Sequence, residues 1–224
     1  MSGMMKRRLR WRRYLLFFAA VLINGYGIAL ITKAALGTSS ITSLFYVLSM
    51  FTPLTLGQWT IAGNFIFIAL EALMMTRQEL RADLRAYLLQ VPITLCFGFT
   101  IDASMSSLGW FAPAGYLGRF AGLLTGCFIL ALGIALEVKA NVALVAGEYI
   151  VRVIAKRLRT DFGYTKLAFD CTLLAAACAT SLYVFGGIRG VREGTLVSAL
   201  IVGPIVHFIY PKMMWVNKYL EDEE

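Results

Sequence analysis

The sequence predicts an all-α, polytopic membrane protein with about six transmembrane helices in two inverted three-helix repeats. Hydrophobic residues make up 59% of the 224 residues, and charged residues make up only 15%. A soluble domain usually carries about 25% charged residues, which cover its surface. The apolar residues form long blocks and do not alternate with polar ones, so the solvent around these blocks is predicted to be lipid.

Six apolar blocks have the length of about 20 residues that a bilayer core requires of a helix. They run over 14–36, 57–75, 84–105, 116–136, 164–185 and 195–210. The first block is longer than the core of a signal peptide and is predicted to stay in the membrane. Two shorter apolar segments, 39–50 after the first span and 141–155 after the fourth, are predicted to form re-entrant or interfacial helices.

The distribution of basic residues predicts the orientation. The segment 1–13 holds six basic residues and the loop 137–163 holds five, whereas the connections 37–56 and 106–118 carry no charge. Because basic loops are retained in the cytoplasm, both termini are predicted to be cytoplasmic, in a multi-pass protein of the plasma membrane. The net charge of +8 therefore favours contact with lipid headgroups over nucleic-acid binding.

An internal repeat divides the chain into two halves. The nine residues from Gly27 to Ala35 share six identities with those from Gly133 to Asn141, at an offset of 106 residues. The same offset gives ten identities over 47 positions from Asn24. The predicted units are a basic cytoplasmic tail (1–13), a first repeat (14–105), a connecting loop (106–115), a second repeat (116–216) and an acidic cytoplasmic tail (217–224).

Each predicted repeat contains three spans. An odd number of spans forces the second copy to enter the membrane from the opposite side, which is typical of secondary transporters. In such folds the binding site lies near the midplane, where short or broken helices meet. The doubled short segments therefore indicate where a site is expected.

Several motifs resemble those of one bacterial group. They are the stretch GIALxxKAxLG from Gly27, the short apolar segment after it, Gly147-Glu148, Phe162-Gly163-Tyr164-Thr165-Lys166, Phe169-Asp170, Gly194-Thr195 and Gly203-Pro204. On these residues, which cover most of 14–210, the chain resembles the YczE/YyaS/YitT family of bacterial integral membrane proteins. The resemblance implies a duplicated multi-helix membrane domain and a membrane location. This chain departs from it at Ser39-Ser40, where many relatives have a proline-containing turn.

Polar side chains inside apolar spans are the candidate binding residues, because a bilayer makes them costly. The candidates are Asp170, Asn64, Lys33, Lys139, Asp102, His207, Lys166 and Glu148. Asn64 and Asp170 occupy matched positions of the repeat. Lys166 and Asp170 are four residues apart and share a helix face, which allows either an intrahelical ion pair or a charged, proton-binding site.

Two further pairs have structural alternatives. Lys33 and Lys139 end the first helix of each repeat, where a lysine either extends to the lipid headgroups or contributes to an anion site. Glu148 and Arg152 are four residues apart on the second short segment and are expected to pair.

The sequence lacks the motifs of common enzymes and the clustered ligands of a metal site, so we expect neither an enzyme nor a cofactor. The predicted function is a small permease or exporter that moves a small molecule or ion by alternating access. The alternative is a non-transporting accessory or regulatory protein for another membrane or biosynthetic system. The expected partners are the bilayer and an unidentified small substrate, and a homodimer is left open.

Overall fold

We describe the chain from a computed structural model, which describes residues 2–213 and Val216, with side chains from Trp11 onward. The basic side chains at positions 6–10 and the predicted acidic tail lie outside this part. The described residues form nine α-helices and no strand. These are α1 (Ser2–Lys33), α2 (Ser43–Ser49), α3 (Leu56–Met74), α4 (Arg77–Ala82), α5 (Leu84–Ser107), α6 (Gly115–Ala140), α7 (Ala146–Leu158), α8 (Phe162–Phe185) and α9 (Glu193–Ile209).

Six segments are long and apolar enough to cross a membrane, and they lie where the sequence predicts them. They are Trp11–Lys33, Leu56–Met74, Leu84–Trp110, Gly115–Ala140, Phe162–Phe185 and Glu193–Lys212. The predicted class, an all-α protein with about six membrane helices, is therefore confirmed. The largest difference in bounds is at α1, which begins at Ser2 and extends through the basic segment.

Both predicted short segments are helical. A 3-10 turn at Ser40–Thr42 leads into α2, and α7 follows the fourth span. Neither is long enough to cross a bilayer, which needs about 20 helical residues. Each begins after an extended stretch of chain, so each half contains a short helix that follows its first span.

The short polar helix α4 is not among the sequence predictions. Thr76 accepts a hydrogen bond from the backbone N–H of Glu79, and the Glu79 side chain accepts one from the backbone of Thr76. This reciprocal arrangement is the capping box that a Thr-x-x-Glu spacing indicates. The same device begins α3, where Thr55 and Gln58 cap each other.

Glycines bring α1 and α6 into close contact along the centre of the protein. Gly27 lies against the backbone of Leu130, and Gly133 lies against Asn24. Residue numbers rise along α1 as they fall along α6, so these two matched helices run antiparallel. Asn24 corresponds to Leu130, and Gly27 corresponds to Gly133, so exchanging the two halves maps one contact onto the other. This is the register that a two-fold relation requires, although the complete inverted repeat stays a prediction.

The remaining packing is symmetric except at one place. Helix α3 packs on α7 as α8 packs on α2, and α5 packs on α1 as α9 packs on α6. Helix α3 also packs on α5, but α8 and α9 make no comparable contact. A cleft therefore separates α8 from α9, and far fewer of their residues are buried than in the other spans.

Candidate functional site

A cavity of about 300 Å³ lies between the two halves. Its walls come from α1, α3, α5 and the turn at Ser40 in the first half, and from α6, α7, α8 and α9 in the second. Most of its surface is apolar, but four charged side chains line it: Glu137, Glu148, Lys166 and Asp170. The start of each short helix also reaches this cavity, because residues 39–42 on one side and Val145, Gly147 and Glu148 on the other contribute to its lining.

Lys166 and Asp170 form an ion pair on α8. The Nζ atom of Lys166 lies 2.6 Å from Oδ1 and 2.6 Å from Oδ2 of Asp170. The hydroxyl of Ser40, from the other half, donates a hydrogen bond of 3.0 Å to Oδ2. Only 13% of the Asp170 side chain is exposed, and it faces the interior between the two halves.

Two buried amides in the lining have an unpaired polar atom. Asn64 and Asn24 are each 3% exposed. The Nδ2 group of Asn64 has no hydrogen-bond partner among the described residues, and neither has Oδ1 of Asn24. Both atoms are enclosed by the protein, and Oδ1 of Asn24 lies against Gly133. An unpaired buried polar group costs about 1–3 kcal/mol, so neither atom is explained by the stability of the fold.

Glu137 is a buried carboxylate that sequence reasoning missed. It is 1% exposed near the end of α6. Its Oε2 accepts a hydrogen bond of 2.9 Å from the Asn24 side chain, and its Oε1 accepts one of 3.1 Å from the Val145 backbone N–H. Glu137 therefore joins α1 to the segment that begins α7. The repeat distinguishes this position, because the residue matched to the charged Glu137 is the apolar Ile31 of the first half.

Glu148 lies in the first turn of α7 and lines the cavity. The expected pair with Arg152 is not formed, because the Arg152 side chain is exposed while Glu148 turns inward. The carboxylate of Glu148 makes no hydrogen bond to another described residue, and its backbone N–H donates to the Val145 carbonyl. The four-residue spacing places the two on neighbouring turns, but the packing of α7 on α3 and α8 separates them.

The other four candidate residues lie outside the cavity lining. Asp102 accepts hydrogen bonds from the Gly57 backbone N–H (2.8 Å) and the Thr55 hydroxyl (2.5 Å), at the start of α3. The Nζ atom of Lys139 lies 4.3 Å from the centroid of the Tyr210 ring. The remaining two are Lys33, which is partly buried at the end of α1, and His207, which is exposed on α9.

A second polar region lies outside the spans, between α4 and α7. Lys156 Nζ lies 2.6 Å from Oε1 of Glu79. The hydrogen bond from Lys156, with others from Thr76, lowers the pKa of the Glu79 carboxyl to about 2. The pair is largely exposed, so water screens it and it stabilises the fold little. Its geometric consequence is that α7 is connected to the loop between α3 and α5.

The described part of the chain contains no group of three or more His, Cys, Asp or Glu side chains placed to hold a metal ion. The four cysteines, Cys96, Cys127, Cys171 and Cys178, are free thiols.

Comparison with known proteins identifies the family. Residues 11–211 match the family of unknown function DUF6198. The chain is 26% identical over 214 residues to the uncharacterized membrane protein YczE of Bacillus subtilis (strain 168). The aligned region covers 94% of this chain and 90% of that protein. No solved structure matches this chain. The chain belongs to this family of membrane proteins, as the resemblance in its glycine-rich motifs implies.

Proposed function

We propose that this protein is a small permease or exporter that moves a small molecule or an ion by alternating access at the cavity between its two halves. One observation carries the proposal: charged side chains converge on a single cavity that both halves line. A charged residue at the centre of a membrane helix costs about 2.5–3.5 kcal/mol on insertion scales. Packing alone does not require that four charged side chains face one space, two of them, Lys166 and Asp170, within a spanning helix.

The short helices supply the moving parts in this proposal. Both begin at the cavity. Helix α2 packs on α8 and helix α7 packs on α3, so each short helix contacts a span of the other half. A rocking of one half against the other would therefore change which end of the cavity is open. Glu137 would transmit that motion, because it binds both Asn24 and the start of α7. The proposal includes no catalytic step, no cofactor and no nucleic-acid partner.

We further propose that the protein lies in the plasma membrane with both termini in the cytoplasm. In that orientation the region around Glu79 and Lys156 faces the cytoplasm, and Gly187 faces outward. A cysteine placed at either position in a background without the four native cysteines tests this. An impermeant thiol reagent applied to intact cells should label Gly187→Cys and not Glu79→Cys. The reverse pattern would show the opposite orientation.

The cleft between α8 and α9 favours a second candidate function. Leu167 on α8, and Leu196 and Leu200 on α9, are exposed. A helix of another membrane protein, or of a second copy, would cover apolar surface at this place. In that case the protein is an accessory or regulatory subunit, and the cavity is part of an interface.

Flux measurements separate the two candidates. Purified protein is first screened with small solutes for thermal stabilisation, and each stabilising solute is then measured for uptake into proteoliposomes. A transporter should move at least one of them faster than protein-free liposomes do, with saturation. An accessory protein should give no flux with any of them and should be isolated with a partner in stoichiometric amount, which would contradict the transport proposal.

A further inference from the structure

The geometry points to a specific ligand class for the cavity: a small organic cation with a protonated amine and an apolar body, with Glu148 as its counter-ion. This inference rests on the proposed function, since it names the substrate class of the same site.

The charges of the lining favour a cation. Three carboxylates, those of Glu137, Glu148 and Asp170, face one ammonium group, that of Lys166. Among the described lining residues Lys166 is the one basic side chain, and Asp170 already neutralises it with two contacts of 2.6 Å. An anionic ligand would have to displace Asp170 to gain an ion pair. A cation needs no such displacement, because two carboxylates remain.

Glu148 and Glu137 have different roles in this arrangement. Both oxygens of Glu137 accept hydrogen bonds from the protein, so Glu137 positions Asn24 and the start of α7. The carboxylate of Glu148 has no hydrogen-bond partner among the described residues, and Glu148 lines the cavity. A carboxylate in the first turn of a helix is also stabilised by the helix dipole. An exposed carboxylate in the first turn would interact with the helix dipole as well. The dipole therefore does not explain why Glu148 turns toward the cavity.

The unpaired amide atoms near the cavity do not contact its open space. Nδ2 of Asn24 donates to Glu137, which fixes the orientation of this amide, and its Oδ1 lies against Gly133. Nδ2 of Asn64 is likewise enclosed by the protein. The carboxylate of Glu148 is therefore the polar group that this inference assigns to the ligand's ammonium group.

The walls require that the cation has an apolar body. Phe45, Phe97 and Phe162 line the cavity together with aliphatic residues of α1, α6 and α9. Aromatic faces attract cations and also bury apolar groups. A volume of about 300 Å³ lies at the lower end of the range of about 300–1,000 Å³ for ligand pockets. These features exclude a bare metal ion as the best fit and favour a compact amphipathic amine.

Binding of three probes of similar shape to the purified full-length protein tests this inference. The probes are 2-phenylethylammonium (a cation), 2-phenylethanol (neutral) and 3-phenylpropanoate (an anion), titrated calorimetrically. The cation should bind at least about 10-fold more tightly than either of the others, because a buried ion pair is lost with each of them. Equal binding of the three probes, or tighter binding of the anion, would overturn the inference.

Variants of Glu148 connect the preference to its carboxylate. Glu148→Gln should weaken binding of the cation at least about 10-fold and bring it close to that of the alcohol, while Glu148→Asp should retain part of the preference. Glu71→Gln is the matched control, because Glu71 is fully buried between α3 and α5, bonded to Gln90 and outside the cavity. It should bind the cation as the natural protein does. If Glu148→Gln does not fold, retained selectivity in Glu148→Asp supports the inference and its loss contradicts it.

Flux of the same probes separates this inference from the proposed function. Cation binding that depends on Glu148, without flux into proteoliposomes, would contradict transport and leave the cation site in place. Saturable flux of a neutral or anionic solute without binding of the cation would contradict the cation site and leave transport in place.

Discussion

Asn64 on α3 and Asp170 on α8 occupy matched positions in the two halves, and both line the same cavity. Asp170 is fully bonded, with Lys166 on its own helix and Ser40 from the other half. Asn64 has an unpaired donor. The two halves thus contribute one fully bonded side chain and one side chain with an unpaired donor, which is the asymmetry expected of a duplicated site in which one copy kept its charge.

The side chain of Asn64, which belongs to the cavity lining, is predicted to serve transport or ligand binding and not the stability of the fold. Asn64→Leu removes a buried polar group that costs about 1–3 kcal/mol when unpaired, so the free energy of unfolding should stay equal or rise. Flux, or binding of 2-phenylethylammonium, should fall. Thr94→Val is the control, because Thr94 is fully buried with an unpaired hydroxyl on α5, outside the cavity. A strongly destabilised Asn64→Leu with normal flux would show that the amide is structural.

Asp102 is predicted to stabilise the start of α3. Its two carboxylate oxygens accept hydrogen bonds from Thr55 and Gly57, and Asn provides one oxygen in place of two. Asp102→Asn should therefore lower the free energy of unfolding by about 0.5–2 kcal/mol, as the loss of a helix cap does. The transport rate per folded molecule should not change. A changed substrate affinity at unchanged thermal stability would instead assign Asp102 to the binding site.

The positions of the spans were predictable because length and hydropathy determine them. Each predicted span coincides with a helix of the structure, and glycine and polar residues locate the turns between them. Helix α4 was missed because it is short and polar, so its sole signal is the Thr76-x-x-Glu79 spacing.

The site was predictable in part, since depth along a span does not reveal which side of the helix faces inward. Asp170, Asn64, Lys166 and Glu148 line the cavity, whereas Asp102 and His207, which are also polar residues of the predicted spans, do not. Glu137 was missed because it lies in the stretch whose identities align the two halves, and those identities give no information about a position at which the halves differ. A charged residue matched to Ile31 was the informative feature.

The close approach of α1 and α6 predicts a specific sensitivity to a single methyl group. A Cβ atom at Gly27 would lie 2.7 Å from the backbone N of Leu130, so the two helices would have to separate. Gly27→Ala should therefore lower the free energy of unfolding by about 1–3 kcal/mol, as overpacking does. Gly118→Ala on α6 is the control, because its nearest neighbour is the Pro113 Cβ atom at 3.5 Å. Equal thermal stability of the two variants would contradict the predicted contact.

The affinity for a cation is predicted to rise with pH. Burial raises the pKa of Glu148 above its ordinary value of 4.5, with an opposing effect of Lys166 and a further increase from Asp170. Glu137 from α6, with Lys166 and Asp170 from α8, are the charged groups that share its cavity. Because the raised pKa favours the protonated form, ionisation of Glu148 lowers the stability of the empty protein as pH rises through the folded-state pKa. The same ionisation creates the counter-ion, so ligand binding strengthens over that pH range.

Phenyltrimethylammonium, whose charge does not depend on pH, is the suitable probe. Its dissociation constant should decrease by up to about 10-fold per pH unit below the folded-state pKa of Glu148 and level off above it. Glu148→Gln should remove this dependence, and Glu71→Gln should keep it. A dissociation constant that is independent of pH in the natural protein would contradict the assignment of Glu148.

The last prediction concerns the pair of Lys166 and Asp170, which has either a structural role or a role in transport. Asp170→Asn removes the partner of the Lys166 ammonium, whose side chain is 27% exposed. The loss of a charged hydrogen-bond partner costs about 1–3 kcal/mol, and water that reaches Lys166 places the value near the lower end. Lys166→Met leaves Asp170 with the bond from Ser40 and should destabilise the protein as well. The double variant removes both charges and should regain thermal stability in either case.

Thermal stability should recover in the double variant under either role, so flux is the measurement that distinguishes them. If the pair only neutralises two charges, the double variant should recover flux together with stability. If Asp170 binds a coupling proton or the substrate, flux should stay lost in Asp170→Asn and in the double variant, since neither has a group that changes its charge. We expect the second outcome, because Asp170 lines the cavity and is contacted by both halves, while Asn64 shows that an amide satisfies packing at the matched position. Ser40→Ala removes one bond to Asp170 but keeps its charge, so it should reduce flux without abolishing it. Full flux in the double variant would show that the pair is structural.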